Sequence, residues 1–454
     1  MSIFKACDIR GVYPGDINEE NVRRIGRAVA TVLGGGDVVV GGDVRISTPA
    51  LKSALIDGLM ASGANVTDLG TVPTPAFYFA KAMFGATGGV MVTASHNPAE
   101  HNGLKIILGD LPITEQELAR IKTLSETREF LSRHGSVQQT DALCAYRRHV
   151  ASLGKGLLPE GGDLPRVVLD CGNGCCSLTA PMVFEMLSIP YVPLFCEADG
   201  AFPNRSPNSA IAANLTALSE AVVKEKADFG VAFDGDGDRV SFVDENGIVL
   251  SIDQSIAVVA KHMSPPVGAG DKVVLDIKCS SAVSDVVTAL GAEALMERSG
   301  HTFIKTRMIG EGARLGGEMS GHLFYSELGG GDDGLYSAIV MANIVAKQGS
   351  LSQLAAEVPR YAVTPELRIH IHPDPRLLDT IAAAFPSEQV SRLDGVRVQF
   401  DGGWGLARLS VTEPLITLRF EARDESALAE IINRFLAPVP TLENAVKAEF
   451  LHIY

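Results

Sequence analysis

Three aspartates alternate with two glycines in one short segment of the chain, where Asp234, Asp236 and Asp238 are separated by Gly235 and Gly237. Alternate residues of an extended segment face the same way, and glycines let the backbone bend, so we expect the carboxylates to converge. Three carboxylates held together repel one another or take up protons unless a cation neutralises them. Oxygen ligands suit a hard divalent cation, and we predict one Mg²⁺ per chain, serving phosphate chemistry.

A calcium-binding helix–loop–helix motif is the alternative for these aspartates. Counted from Asp234, position twelve of such a loop is Glu245, which fits, but position six is Arg239, where glycine is required. The flanking residues 229–233 and 240–243 have the composition of strands rather than helices. We therefore reject the calcium loop.

A second reactive group is Ser95, which stands in the segment VTASHNPAEHNGLK at residues 92–105. We do not expect His96 to act as its base, because neighbouring side chains of an extended segment point to opposite faces. The segment also lacks the GxSxG elbow of serine hydrolases. Beside a predicted metal loop, Ser95 is expected to carry a phosphoryl group, while His96 shapes the loop.

Phosphate chemistry needs positive charge, and several cations stand in or beside Gly- or Ser-rich loops. They are Arg10, Lys105, Arg239, Lys278 and Arg408. Arg408 begins the segment RLSVT, in which its guanidinium, the hydroxyls of Ser410 and Thr412 and the loop amides form an anion cradle. In GEMSGH at residues 317–322, Glu318 and Ser320 are candidates for hydrogen bonds to sugar hydroxyls. His322 has the alternative of being an ordinary loop histidine.

The motifs follow strands of a repeated α/β unit. Apolar strands at 38–40, 167–170 and 273–276 each end near an acidic residue, and each precedes a helical stretch and a second strand. The second strands end in residues 93–98, 234–238 and 317–322. Ligands of open α/β sheets bind at loops that follow the carboxyl ends of strands. We therefore predict three related α/β units, each contributing one loop to a shared site.

From about residue 365 the pattern changes to the alternation of half-buried antiparallel strands. Residues 367–371, 396–400 and 415–420 fit such strands, and residues 426–436 fit a helix. The predicted fold class is α/β, with three related mixed α/β domains and a C-terminal α+β domain. The predicted boundaries are 1–150, 151–254, 255–362 and 363–454.

The composition restricts the partners and the compartment. The 454 residues carry a net charge of −15, which disfavours binding to nucleic acid and to anionic membranes. The N-terminus lacks the pattern of a signal peptide, and no apolar stretch is long enough to span a bilayer. Seven cysteines suggest no disulfide framework and indicate a reducing cytoplasm. Cys171, Cys175 and Cys176 lack the further ligands of a zinc site and are expected to be core residues.

With these residues in place, the whole chain resembles the α-D-phosphohexomutases, most closely their bacterial phosphomannomutase/phosphoglucomutase group. The motifs keep the order of that family. The matching segments are DIRG at 8–11, TASHNP at 93–98, NGLK at 102–105, DGDGDR at 234–239, Lys278, GHTFIK at 300–305, GEMSGH at 317–322 and RLSVTEP at 408–414.

The resemblance implies four domains around a central cleft and reversible phosphoryl transfer between C1 and C6 of mannose or glucose phosphate. Phosphorylated Ser95 would give its phosphoryl group to the hexose phosphate, and the resulting hexose 1,6-bisphosphate would turn and return its other phosphate. Mg²⁺ would be held by the three aspartates and a phosphoserine oxygen. Arg10 and Lys105 would act as acid/base or electrostatic helpers, with Arg239 beside the metal. The implied substrate-binding residues are Lys278, His301, Glu318, Ser320, His322, Arg408, Ser410 and Thr412.

Several positions depart from the family pattern, and alternatives stay open. The departures are Cys7 for tyrosine, Gly42 for arginine, His101 for an aromatic residue, Leu409 for proline and Val411 for Asn or Gly. The last removes a polar or flexible element from the phosphate cradle and so bears on phosphate affinity and substrate choice. A phosphoglucosamine mutase is one alternative, although Met319 stands where that subgroup has Gln. The others are a hexose 1,6-bisphosphate synthase and a non-catalytic sugar-phosphate-binding relative. The expected partner is a small phosphosugar, and the chain is expected to be a monomer or a homodimer.

Overall fold

Local sequence signals set the ends of the first helix in the computed structural model, which describes residues 3–159, 161, 163–409 and 415–449. Helix α1 (Glu19–Leu33) starts after Asn18, whose side chain accepts a hydrogen bond from the backbone N–H of Asn21. The Asn21 side chain accepts one in return from the Asn18 N–H. The helix ends at Gly34, which adopts a left-handed φ of 72° that glycine tolerates. Both ends are therefore set by residues at the ends of the helix itself.

Domain one is a sheet of seven strands with helices packed against it. Its further helices are α2 (Thr48–Met60), α3 (Thr74–Phe84) and α4 (Glu115–Thr127), and α5 (Leu143–Leu157) connects this domain to the next. Its strands are β1 (Ile9–Val12), β2 (Gly36–Gly42), β3 (Ala64–Thr71), β4 (Gly88–Val92), β5 (His101–Leu108), β6 (Leu111–Pro112) and β7 (Val137–Gln139). The strand order is β1-β5-β4-β2-β3-β7, with β6 paired to β5.

Domains two and three have smaller sheets, of four and five strands, in the orders β11-β10-β8-β9 and β13-β12-β14-β15-β16. The elements of domain two are β8 (Val167–Asp170), α6 (Ala180–Met186), β9 (Tyr191–Leu194), α7 (Thr216–Glu225), β10 (Phe229–Phe233) and β11 (Val240–Asp244). Those of domain three are α8 (Ile252–His262), β12 (Lys272–Asp276), α9 (Ser281–Ala289), β13 (Glu293–Glu297), α10 (His301–Glu311), β14 (Leu315–Gly317), β15 (Leu323–Tyr325), β16 (Gly331–Asp332), α11 (Gly334–Gln348) and α12 (Leu351–Ala356).

The three α/β domains repeat one arrangement, in which three parallel strands are followed by an antiparallel one. The parallel sets are β3-β2-β4, β9-β8-β10 and β13-β12-β14, and their antiparallel neighbours are β5, β11 and β15. The connection to the antiparallel strand holds residues 93–100 in the first domain, 234–239 in the second and 318–322 in the third. The three sequence motifs therefore occupy equivalent loops, as the repeated pattern predicts.

Domain four is an antiparallel sheet in the order β17-β22-β21-β20-β19, with β18 paired to β22. Its elements are β17 (Ala362–Val363), β18 (Leu367–Ile369), α13 (Pro375–Ala383), β19 (Val390–Ser391), β20 (Val396–Phe400), β21 (Gly403–Leu409), β22 (Ile416–Ala422), α14 (Glu425–Leu436) and α15 (Pro440–Glu449). The α+β prediction for the tail is confirmed. Among the described residues, no helix has the length and apolar character needed to cross a membrane.

The hydrophobic cores show how firmly the domains are joined. One continuous cluster of buried side chains runs through domains one, two and three, whereas domain four has a core of its own. A small cluster of Ile277, Trp404 and Leu406 joins domain three to domain four. At the same junction, the Trp404 Nε1–H donates to the Glu421 carboxylate over 2.9 Å. The first three loops therefore rest on one packed body, and the fourth domain docks onto it.

Close packing of α1 on α2 yields a stability prediction. A Cβ at Gly58 would lie 2.1 Å from the backbone oxygen of Arg23, so Gly58→Ala forces the helices apart and should cost about 3 kcal/mol. Gly156 in α5 is the control, because a Cβ there meets nothing within 4 Å and alanine should add about 0.5–1 kcal/mol through helix propensity. Thermal melting of both variants measures this, and equal melting temperatures would contradict the packing argument.

Candidate active site

Ser95 lies in the turn between β4 and β5 with a positive φ of 51°, uncommon for a residue with a side chain. Its N–H donates to the Thr93 hydroxyl over 2.9 Å. Its own hydroxyl donates to Asp234 Oδ2 over 2.7 Å, and the residue is fully buried. The serine of domain one therefore contacts the acidic loop of domain two directly, although 139 residues separate the two positions.

The three aspartates converge, but in a different way from the one predicted. Residues 234–238 form a tight loop rather than an extended segment, and Gly237 takes a φ of 82°. One acceptor oxygen from each of Asp234, Asp236 and Asp238 lies within 4.8 Å of the others, and all three residues are buried. Gly235 is needed because a Cβ there would lie 2.5 Å from the carbonyl oxygen of Ser95. The rejection of a calcium-binding helix–loop–helix is confirmed, since strands flank the loop.

The donor set fits a hard divalent cation. It contains only carboxylate oxygens, and Asp236 Oδ1 is buried and accepts no hydrogen bond from any described residue. Burial, together with the neighbouring charges of Asp236 and Asp238, raises the pKa of Asp234 to about 8. Without a cation, one proton would therefore be shared within the cluster near neutral pH. The cysteines considered for zinc are free and buried in the core.

Lys105 from β5 bridges the acidic loop to domain one. Its ammonium lies 2.8 Å from Asp236 Oδ2 and also contacts Asp238 Oδ2, and the side chain is 4% exposed. Burial would lower the pKa of Lys105, but the carboxylates of Asp236 and Asp238 outweigh it and hold the pKa well above the ordinary value. Asp236 also accepts hydrogen bonds from the hydroxyls of Thr74 and Thr93, at 2.7 and 3.2 Å. Side chains of domain one thus supply most of the partners of a carboxylate in domain two.

Arg10 and Arg239 flank the serine loop. Arg10 pairs with Asp8 over 2.6 Å and donates to the side-chain oxygen of Asn97 over 2.9 Å. The Arg239 Nε lies 3.9 Å from Asp234 Oδ2, and its backbone N–H donates to Asp234 Oδ1 over 3.2 Å. Both guanidinium groups therefore lie beside the loops that hold Ser95 and the aspartates.

The expectation that His96 points away from Ser95 is wrong. The His96 Nδ1 lies 3.4 Å from the Ser95 hydroxyl oxygen, because these residues form a turn and not an extended strand. Burial lowers the pKa of His96 well below its usual value, and the nearby cations Arg239 and Arg10 lower it further. His96 is therefore neutral and adjacent to the serine.

His322 joins Glu318 and Ser320, the candidates for sugar contacts in the loop 318–322 (the sugar loop), to the acidic loop 234–238. Its Nδ1 lies 3.1 Å from Glu318 Oε2 and 2.8 Å from the Ser320 hydroxyl, and its Nε2 lies 3.3 Å from Asp238 Oδ1. Burial opposes the charged form, but Asp238 and Glu318 raise the pKa of His322 to about 10, so the ring is an imidazolium. The His322 Nε2 also lies 3.4 Å from the Arg239 Nε. Because both groups are then positively charged, this contact is not a hydrogen bond. His322 therefore belongs to a buried network of charged and polar groups, which an ordinary loop histidine would not form.

His301 lies next to this group, at the start of α10. Its ring stacks on that of His322 with centroids 5.8 Å apart. Burial, aided by the charges of Lys105 and His322, lowers the pKa of His301 to about 3 and keeps the ring neutral. The sugar-loop candidates therefore form one polar cluster that reaches from domain three to Asp238.

A cleft of about 600 Å³ runs between domains one, three and four. Arg10, His96 and Asn97 line it from domain one, and Arg408 lines it from domain four. Arg408 pairs with Asp394 over 2.7 Å, and Asp394 also accepts the backbone N–H of Ser299 from domain three. Sequence reasoning missed two further arginines of this cleft, Arg298 and Arg368. In the sequence, Arg298 stands directly before residues 299–305, SGHTFIK, and this position could have marked it as a site candidate.

Lys278, another predicted residue, lies at the junction of domains three and four. The Lys278 ammonium lies 3.6 Å from Asp276 Oδ2 and 3.9 Å from Glu366 Oε1. The same Asp276 oxygen accepts the N–H of Met319 over 3.3 Å, which ties Lys278 to the sugar loop. Ser410, Val411 and Thr412 lie outside the described residues, so their predicted place in the phosphate cradle stays a prediction.

Sequence reasoning gave no functional weight to Arg45, which holds the serine loop together. Its guanidinium is buried, pairs with Asp43 over 3.0 Å and donates to the backbone oxygens of Ser95, Asn97, Pro98 and His101. One charged fork thus binds four carbonyls of the loop and fixes their relative positions. The only signal in the sequence is an arginine shortly after the end of β2.

Comparisons with known proteins place the whole chain in one family. Models of phosphoglucomutase/phosphomannomutase match it, with alpha/beta/alpha domain I over residues 1–132, domain II over 146–247, domain III over 251–361 and the C-terminal domain over 364–437. A Pseudomonas putida phosphomannomutase/phosphoglucomutase is 37% identical, covering 99% of this chain and 98% of the relative. A probable phosphoglucosamine mutase from Methanopyrus kandleri is 35% identical over 95% and 96% of the two chains.

Solved structures agree with this assignment. A phosphoglucomutase/phosphomannomutase family protein from Burkholderia thailandensis matches with a TM-score of 0.87 and 35% identity, covering 98% of this chain and 97% of that chain. The fold and the site define a hexose-phosphate mutase, an enzyme of the isomerase class. The chain belongs to the phosphoglucomutase/phosphomannomutase family.

Replacing Arg45 by lysine tests its role in shaping the loop. The charge remains, but an ammonium lacks the planar fork that reaches four carbonyls, so the turn around Ser95 should relax. We expect kcat to fall about 100-fold with KM little changed, since a displacement of about 1 Å at a reacting group costs that much. Steady-state kinetics measures this. Arg166→Lys is the control, because its guanidinium pairs with Glu225 on the surface. Wild-type kinetics in both variants would contradict the role of Arg45.

Proposed function

We propose that Ser95 carries the phosphoryl group in reversible transfer between C1 and C6 of mannose and glucose phosphates, through a hexose 1,6-bisphosphate intermediate. The observation that carries this proposal is the 2.7 Å hydrogen bond from the Ser95 hydroxyl to Asp234, within the cluster of three buried carboxylates. A serine ester of phosphate at this position would face the oxygen donors of a divalent cation. Phosphoryl transfer needs positioning and neutralised charge more than elaborate covalent chemistry.

Mg²⁺ is the proposed metal, held by Asp234, Asp236 and Asp238 together with an oxygen of phosphorylated Ser95. When bound, it supplies neutralisation of the phosphoryl oxygens and polarises the phosphorus centre. Lys105 holds Asp236 and Asp238 in place through its ammonium. Arg10 and Arg239 place further positive charge beside the serine loop, where a transferring phosphoryl group is stabilised.

Either phosphate of the bisphosphate must fit the distant end of the cleft, because the intermediate turns between the two half-reactions. The arginines of that cleft support this role, above all Arg408 of domain four, with Ser410 and Thr412 proposed to complete the cradle. Lys278 is proposed to assist from the junction of domains three and four. The sugar hydroxyls that the bisphosphate presents in both of its orientations are proposed to bind a cluster of side chains beside the acidic loop. These are Glu318, Ser320, His301 and His322.

Glucosamine phosphate is the competing substrate, because the Methanopyrus kandleri relative carries that name. Met319 disfavours it, since a thioether offers an amino sugar only a weak acceptor. A coupled assay of mannose 1-phosphate, glucose 1-phosphate and glucosamine 1-phosphate, with Mg²⁺ and catalytic hexose 1,6-bisphosphate, separates the possibilities. We expect turnover of the first two and at least about tenfold lower kcat/KM for the third, since a pocket lacking a polar partner discriminates by that order. Inactivity on all three would overturn the mutase proposal, and steady release of the bisphosphate would indicate a synthase.

Substitution of the serine tests the carrier role. Ser95→Ala should lower kcat by at least about 10³-fold, because the nucleophile is lost. The phosphoprotein mass shift of the wild type should disappear in the same variant. Ser177→Ala is the matched control, since the Ser177 hydroxyl is buried and makes no hydrogen bond with a described residue. A Ser95→Ala protein with most of its activity would exclude the phosphoserine route.

Removal of the metal gives an independent test. Chelation with EDTA should abolish turnover, and added Mg²⁺ should restore it. Asp236→Asn should weaken the response to Mg²⁺ by about 10-fold or more, because it removes one charged ligand from the site. Full activity after exhaustive chelation would contradict the proposed metal site.

A further inference from the structure

Two cysteines of domain two meet at the ends of neighbouring strands. Cys171 follows β8 and Cys196 follows β9 two residues after its end, and their sulfur atoms are 3.1 Å apart. Both are free thiols. Neither residue takes part in the site described above, and a covalent S–S bond of about 2.05 Å would need the sulfurs to move by only about 1 Å.

The backbone geometry suits such a bond. β8 and β9 pair in parallel with Asp170 opposite Leu194, and the Cys171 N–H donates to the Leu194 oxygen over 3.1 Å. Continued beyond this pair, the register sets Cys171 beside Phe195, so Cys196 lies one residue farther along. Phe195 has a φ of 52°, and this turn brings the Cys196 sulfur back over β8, 3.2 Å from the Leu169 oxygen.

The two thiols differ in a way that assigns their roles. Cys171 is fully buried, and burial raises its pKa well above the usual value. Cys196 is partly exposed, and the hydrogen bond with Cys171 lowers its pKa. A peroxide from solvent reaches Cys196 before the buried Cys171, and the thiolate is the form that reacts, so Cys196 is the attacking sulfur and Cys171 is the resolving one.

We propose that Cys196 and Cys171 form an oxidation site, at which a hydroperoxide converts the two thiols into a reversible disulfide. The Cys196 sulfur attacks one peroxide oxygen, the O–O bond breaks, and a sulfenic acid forms while the other oxygen takes a proton and leaves as water or an alcohol. The Cys171 sulfur then attacks Cys196, the S–O bond breaks, and the hydroxyl leaves as water with the Cys171 proton. Two electrons pass from the sulfurs to the peroxide, and a dithiol reductant reverses the change.

The disulfide would affect the acidic loop, because residues on both sides of Cys171 support that loop. Asp170 pairs with Arg205 over 2.7 Å, and Arg205 donates to the backbone oxygen of Phe233, directly before Asp234. The Cys175 N–H donates to the Gly235 oxygen over 3.0 Å. A shift of Cys171 toward Cys196 therefore pulls on the backbone that positions the aspartates. This effect on activity rests on the proposed function, whereas formation of the bond does not.

Peptide mapping of the oxidised full-length protein is the direct test. After hydrogen peroxide treatment, a non-reducing digest should contain a peptide pair that joins Cys171 to Cys196, and dithiothreitol should separate it. Mutase activity should fall at least about tenfold and return with the reductant, since small displacements at a phosphoryl-transfer site have effects of that size. Absence of the linked pair, or linkage through other cysteines, would overturn the proposal. If the protein proves to lack mutase activity, the map still decides the disulfide.

Variants separate this site from general oxidation. Cys171→Ser should leave a sulfenic acid on Cys196 that dimedone traps, because the resolving thiol is absent. Cys196→Ser should keep its activity in peroxide. Cys144→Ser is the matched control, since Cys144 is exposed and contacts Arg148, and it should respond to peroxide as the wild type does. Equal inactivation of Cys196→Ser and wild type would contradict the proposed link to activity.

Discussion

Three buried carboxylates that one loop cannot neutralise by itself organise the centre of this molecule. Asp234, Asp236 and Asp238 belong to domain two, where Arg239 and loop N–H groups contact Asp234, but several of their side-chain partners come from other domains. Domain one supplies Lys105 and the hydroxyl of Ser95, and domain three supplies His322. Leaving such charges buried without partners would cost several kcal/mol each. The relative placement of three domains is therefore coupled to the charge balance of one loop.

The conformation of the serine loop also depends on a contact between domains. Ser95 occupies a positive φ, which costs of order 1 kcal/mol or more for a residue with a side chain. The surroundings over-determine this conformation, because Arg45 grips the loop carbonyls from one side and Asp234 accepts the hydroxyl from the other. A strained serine held by both groups is fixed in one conformation, with its hydroxyl directed at the acidic loop.

Domain four is packed separately from the other three domains. It has its own core and meets domain three through the cluster around Trp404 and through Asp394, whereas one core cluster extends through all of the first three domains. The loops that hold Ser95, the three aspartates and residues 318–322 are thus fixed relative to one another. The cations of the cleft, by contrast, come from domains one, three and four, so the shape of the cleft depends on how domain four docks.

The sequence by itself determined the repeated α/β unit, the antiparallel tail and the residue types of the site, because hydrophobic period, caps and loop composition are local. It also placed Ser95, the aspartates and the sugar loop at equivalent connections. It could not give the orientation of His96, the role of Arg45, the cleft arginines Arg298 and Arg368, or the contact of Cys171 with Cys196. These features depend on turns and on contacts between residues far apart in the chain, and the hydrophobic periodicity of a sequence carries no information about either. Only the tertiary structure, by packing distant loops against one another, decided which side chains meet.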